Sequence, residues 1–190
     1  MEGVRYKEPK LKVMGIEAVK SSTPAPCREK LKEAIKLIMD GDEKMLNTFI
    51  QDFREEFMAL PPEDIAYPRS CNGVKKFRGT DRLFLKGTPI HVKGAILYNH
   101  LVEKNKLGNK YPYIQEGDKV KFIHMQEPNI YQASAFSFIT KIPKELDILG
   151  KIDYSQQYEK SFLEPLRVIT DKLQWILKND EAGSLEEFFG

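Results

Sequence analysis

The sequence predicts an α+β fold, mostly helical, with a few short strands and a small extended segment in front. Three observations predict it. Apolar residues recur at helical spacing across residues 24–60. They alternate with lysines in the short run KVKFIHM at 119–125. They line one side of a longer run over about 153–177.

The elements follow in order. Residues 4–20 read as one or two extended pieces. Side chains alternate between the two faces of such a segment, so Lys10 and Lys12 share one face, and Leu11 and Val13 the other. Thr23 reads as an N-cap with Pro24 at the first helical position. Leu31, Ile35 and Ile38 then give the spacing of a helix that Gly41 ends. Asp42 can cap a second helix, whose apolar stripe is Met45, Leu46, Phe49, Ile50, Phe53 and Phe57. Leu60-Pro61-Pro62 stops it.

Residues 61–87 are punctuated by prolines and glycines and are expected to lack long regular structure. Residues 91–101 form a helical candidate with Ala95, Ile96, Tyr98 and Leu101 available for packing. In the strand at 119–125, Val120, Phe122 and His124 oppose Lys119, Lys121 and Ile123. A second short strand is expected at 135–139. The helix over 153–177 packs Phe162, Leu163, Leu166, Ile169, Leu173 and Ile176, and Pro165 kinks it or marks its restart.

Composition narrows the function. The chain has 190 residues, 41% of them hydrophobic, which suits one domain or a small domain plus a tail. No run approaches the roughly 18 apolar residues of a membrane span, and residues 1–10 lack the apolar core of a secretory signal. No membrane partner is expected. Cys27 and Cys71 are too few for a disulfide framework or a zinc site. They read as spectator thiols in a reducing cytoplasm.

The net charge is only +2, but it is segregated. Residues 69–110 carry ten Lys or Arg against Asp81 and Glu103, a net of +8, leaving −6 on the rest. A positive region of that size is a candidate polyanion surface, and a solvated basic loop is the competing explanation.

Four stretches carry chemistry. The first runs over residues 6–24, where Lys10, Lys12 and Lys20 suit the phosphates of a nucleic acid strand and Ser21, Ser22 and Thr23 add hydroxyl donors. The second is Arg69-Ser70-Cys71-Asn72-Gly73-Val74-Lys75-Lys76-Phe77, which packs guanidinium, hydroxyl, amide and ammonium donors around a flexible glycine. The third is His91-Val92-Lys93-Gly94-Ala95-Ile96-Leu97-Tyr98-Asn99, a helix start whose amides attract phosphate, with Lys93 adding charge and Lys86 just before it. The fourth is Ser184-Leu185-Glu186-Glu187-Phe188-Phe189-Gly190, a polar tether that ends in anchors able to fill a partner's pocket.

These stretches carry a resemblance. Tyr6, Pro9-Lys10-Leu11-Lys12, Met14-Gly15-Ile16-Glu17 and Lys20-Ser21-Ser22-Thr23-Pro24 resemble the palm-to-thumb junction of the family B DNA polymerases, of the replicative kind found in large tailed phages. Ser70, Asn72, Lys75 and Lys76 are similar to the family's DNA-facing thumb loop, without a residue-by-residue match through Cys71. His91 to Asn99 is similar to its His-x-(Arg/Lys)-Gly-x-x-x-Tyr-Asn helix start. Leu185, Phe188 and Phe189 resemble the tail by which such polymerases hold a sliding clamp.

The resemblance implies a palm-edge segment at 1–23, a thumb domain at 24–178 and a clamp-binding tail at 179–190. It implies DNA contacts from Lys10, Lys12, Lys20, Ser21, Ser22, Arg69, Ser70, Asn72, Lys75, Lys76, Lys86, His91, Lys93, Tyr98 and Asn99. Its partners would be primer–template duplex, the remaining N-terminal part of the polymerase and the clamp, in the cytoplasm of an infected bacterium.

The family's catalytic aspartates lie before the matched part, and no Asp-Thr-Asp-Ser string occurs here. Polymerase chemistry needs two carboxylate-bound metal ions, so Mg²⁺ is expected only at a catalytic site outside this chain. No catalytic residue or metal ligand is assigned. His91, His100 and His124 lack Cys or His partners at metal-ligand spacing. The chain is expected to be inactive alone, as a fragment or as the smaller product of a split gene. A stand-alone, sequence-independent nucleic-acid-binding protein is the alternative.

Overall fold

The computed structural model describes residues 20–173. In chain order these form α1 (Ala25–Asp40), α2 (Glu43–Met58), the short α3 (Pro62–Ile65), β1 (Tyr67–Ser70), α4 (Ile90–Lys104), β2 (Lys119–His124), β3 (Ala135–Phe138), α5 (Tyr154–Tyr158) and α6 (Glu164–Thr170). The fold is α+β, with one antiparallel sheet in the order β1-β2-β3. The stretch read as a single thumb domain holds two compact units. One contains Pro26–Ala59 and the described residues from Tyr158 on; the other contains Ser22–Ala25 and Leu60–Gln157. No helix of the described residues is long and apolar enough to cross a membrane.

The first unit is a helical core. Helix α1 begins at Ala25, one residue later than the Thr23–Pro24 reading, and buries Cys27, Leu31, Ala34 and Ile38. Gly41 at φ +77° ends it in a left-handed turn. The Gly41 N–H reaches Ile38 O at 3.1 Å and the Asp42 N–H reaches Leu37 O at 3.5 Å, which satisfies two carbonyls left over at the helix end. Asp42 then caps α2, accepting from the Met45 N–H at 2.9 Å.

Helix α2 buries Leu46, Ile50, Phe53 and Phe57. Met45, read as part of that stripe, is instead 56% exposed. The Phe53 ring meets Phe162 at 4.8 Å, Tyr158 at 5.8 Å and Phe57 at 5.9 Å. The Tyr158 hydroxyl donates to Ile50 O at 2.7 Å.

The last helix departs from the straight run expected over 153–177. Between α5 and α6, residues Glu159–Leu163 form one wide π turn, in which the Glu164 N–H reaches back five residues to Glu159 O. Pro165, which has no N–H to give, falls at the restart just after it. Ile176 lies outside the described residues, as do Lys10 and Lys12.

In the second unit the sheet sets the register. Tyr67 pairs with Phe122 and Arg69 with Val120, while Phe122 also pairs with Ser137. Strand β1 falls where no long element was expected. Its four residues include Pro68, which hides it from a propensity reading. Cys71 N–H donates to Asp118 O at 2.8 Å, so odd-numbered residues face β2 and Pro68 turns its missing donor to the open edge. In β2, Val120 and Phe122 are buried as expected, but Ile123 is buried too.

Helix α4 runs three residues beyond the expected end and packs on β3, burying Val92, Ala95, Ile96, Leu97, Tyr98, Leu101 and Val102. Gly94 makes the contact close. A Cβ there would lie 2.6 Å from Ser137 N and 2.8 Å from Phe136 C. Ser137 Oγ donates to His91 O at 2.7 Å across the same contact.

Candidate nucleic-acid interface

The second unit holds most of the sequence-predicted cations, and it sorts them into three places. At the sheet edge, the Arg69 guanidinium lies over the rings of Tyr67 (5.8 Å) and Phe122 (5.5 Å). One of its N–H groups donates to Pro68 O at 2.8 Å. His91, in the first turn of α4, sits 6.3 Å from the Phe122 ring. Burial, and then the Arg69 charge, push its pKa below the ordinary 6.5, while a hydrogen bond to the Ser70 backbone pulls the other way. At neutral pH His91 is therefore an uncharged donor. Arg69, Ser70 and His91, distant in sequence, form one group.

The loop after β1 is fixed rather than loose. Gly73, read as a flexible pivot, adopts φ +103°, where a Cβ would stand 2.8 Å from the Phe77 ring. Its N–H is held by the Glu116 carboxylate, and the Phe77 N–H reaches Gly73 O at 2.9 Å. Cys71 is buried, and its thiol is pushed up to about 11 by burial, then by Glu116 and Asp118. The donor-rich loop is thus tied at Gly73 to an acidic side chain, and Asn72, Lys75 and Lys76 are exposed on it.

The same unit carries two hollows lined in part by basic side chains. Lys75 lies with Arg78 in the first, whose other walls include Leu83, Ile96, Glu103 and Glu116. Arg78 makes an exposed ion pair with Glu103 at 3.6 Å. Lys76 is exposed, its ammonium 5.2 Å from the Phe77 ring. The second hollow is lined by Arg82, Lys86 and Lys93 against the single acid Asp81, with Tyr131 and Gln132 on its wall. Lys93 is held 5.5 Å over the Phe84 ring, and Phe84 is bridged to Arg78.

Two predicted contact residues serve the fold instead. The Tyr98 hydroxyl, on a side chain only 2% exposed, donates to Pro112 O at 3.0 Å. Asn99 clamps Ile114, donating to its carbonyl at 2.9 Å and accepting from its N–H at 2.7 Å. Both hold the segment after α4 against the helix. Asn72 is exposed in the loop; Lys20 and Ser21 are exposed and Ser22 half-buried in the turn before α1.

Sequence reasoning did not single out Arg78 and Arg82, which line the two hollows, although both lie in the basic block. It missed Tyr131 and Gln132 entirely, since no local pattern ties them to lysines some forty residues earlier. Lys10, Lys12, Leu185, Phe188 and Phe189 lie outside the described residues.

Exposed cations on ring-braced stems can hold a polyanion. Among the described residues no three His, Cys, Asp or Glu side chains come together to hold a metal ion.

No protein-family model matches the chain. Over its whole length it is 31% identical to the DNA-directed DNA polymerase of Enterobacteria phage T4 and 33% identical to that of Escherichia phage RB69. It spans 21% of the length of each of these relatives. Along all its residues, then, the chain is similar to a C-terminal portion of these phage DNA-directed DNA polymerases.

Proposed function

We propose that this chain is the duplex-gripping thumb part of a replicative DNA polymerase. It holds primer–template behind an active site carried by the rest of the enzyme, where the catalytic Mg²⁺ ions would bind. The observation that carries this reading is the concentration of Arg69, Lys75, Lys76, Arg82, Lys86 and Lys93 in one compact unit. Such contacts address phosphates and ignore sequence. Lys10, Lys12, Lys20 and the Ser21–Ser22 hydroxyls extend the grip along the primer strand. Leu185, Phe188 and Phe189 tether the enzyme to its sliding clamp, which raises local concentration and so processivity.

The test is duplex binding by the full chain, followed by fluorescence anisotropy over a series of salt concentrations. Affinity should fall steeply, with a log–log slope of about −0.9 per phosphate engaged. Lys75→Ala with Lys76→Ala should weaken binding to every duplex sequence about equally. Affinity that ignores salt, or a loss confined to some sequences, refutes the grip.

A further inference from the structure

The connection between β2 and β3 is built around one side chain. Asn129 Nδ2 donates to Gln126 O at 2.8 Å and to Ala133 O at 2.7 Å. Its Oδ1 accepts from the Tyr131 N–H at 2.9 Å. Tyr131 is braced in turn, its hydroxyl 3.4 Å from Leu146 O and its ring 5.8 Å beneath the Lys151 ammonium. What this frame presents to solvent is Ile130, 77% exposed, the most exposed large hydrophobic side chain among the described residues.

A lone exposed isoleucine needs no explanation. Its setting is the informative part. The next two residues, Tyr131 and Gln132, line the hollow of Arg82, Lys86 and Lys93. Leu85, itself 46% exposed, lines it as well. An apolar tip next to a hollow lined by three cations and one acid, with Glu127 exposed on the loop itself, matches the surface of a duplex groove, where deoxyribose faces lie between two rails of phosphate. A protein partner would call for a broader apolar centre with fewer charges around it.

We infer that the loop of residues 126–133 is a further duplex contact. Ile130 enters the minor groove against the sugars, while Arg82, Lys86 and Lys93 take the flanking phosphates. Apolar side chains of this kind serve as minor-groove contacts in other DNA-binding proteins. The inference rests on the proposed duplex grip and adds to it a component that salt does not screen.

The experiment compares Ile130→Ala with Lys86→Ala and Lys93→Ala in the full chain, titrated with a labelled mixed-sequence duplex across salt. Ile130→Ala should weaken binding about three- to tenfold at every salt concentration and leave the salt slope unchanged. Each lysine variant should reduce the slope by about one. If the lysine variants behave so and Ile130→Ala binds like the parent, the loop contact is overturned and the grip stands. If the chain does not bind duplex, both fall. A changed slope in Ile130→Ala also overturns the contact, because the loop would then act by displacing cations. So does Ile130→Ala that binds duplex normally but no longer assembles with the rest of the polymerase, which would make the tip a protein contact.

Discussion

Gly94→Ala tests the contact that positions the candidate interface. The added methyl would lie 2.5 Å from Ser137 Oγ, 2.6 Å from Ser137 N and 2.8 Å from Phe136 C. Two of these are backbone atoms of β3 and cannot rotate away. Helix α4 would have to retreat by roughly 0.8 Å to restore ordinary contact. Overpacking of that kind costs about 1–3 kcal/mol. Straining the Ser137–His91 hydrogen bond adds about 1 kcal/mol. Alanine's better helix propensity returns about 1 kcal/mol. The net is a destabilisation of about 1–3 kcal/mol, measured as a lower urea midpoint by circular dichroism.

Gly150→Ala is the control, since nothing lies within 4 Å of a Cβ there and its φ is not in the left-handed region. It should be neutral or slightly stabilising. Because His91 and Lys93 ride on α4, Gly94→Ala should also weaken duplex binding at concentrations where the chain is still folded. If Gly94→Ala is as stable as the parent, propensity outweighs sterics and the close approach of α4 to β3 is refuted.

Two further outcomes are expected. Asn99→Ala should cost about 1–3 kcal/mol by leaving both Ile114 backbone groups unpaired, while duplex affinity measured where the variant is still folded should not change. A loss of affinity under those conditions would instead make Asn99 a phosphate contact. His91 should titrate below 6.5 in the folded chain when followed by NMR. A histidine whose folded pKa is depressed contributes stability that is present above 6.5 and is lost as pH falls through the folded value, because the unfolded chain takes up the proton first. A His91 pKa at or above 6.5 would contradict the burial and the Arg69 charge that lower it.

The Gly41–Asp42 junction, the buried faces of α1 and α2, the helix carrying His91 and Lys93, and strands β2 and β3 were all legible in the sequence. Each depends on neighbours within a few residues: a cap, a left-handed glycine, or a period of 3.6 or 2. The basic block was legible for the same reason, since charge can be counted along a chain. Strand β1 was not, because four residues containing a proline have no strand signal until β2 supplies the partner that makes an edge. The role of Gly94 was not, because its cause is a backbone in β3 more than forty residues away.

Tertiary structure alone decided which cations stand together. It joined Arg69 and Ser70 to His91, put Lys86 and Lys93 beside Tyr131, and turned Tyr98 and Asn99 inward as tethers. It also tied the Glu116 carboxylate to Gly73, in a loop whose sequence reads as purely donating. The sequence by itself determined what kinds of groups are present and which local elements carry them. Their assembly depends on pairings across long stretches of chain, where the free energy lies in packing and hydrogen bonds that no local period encodes.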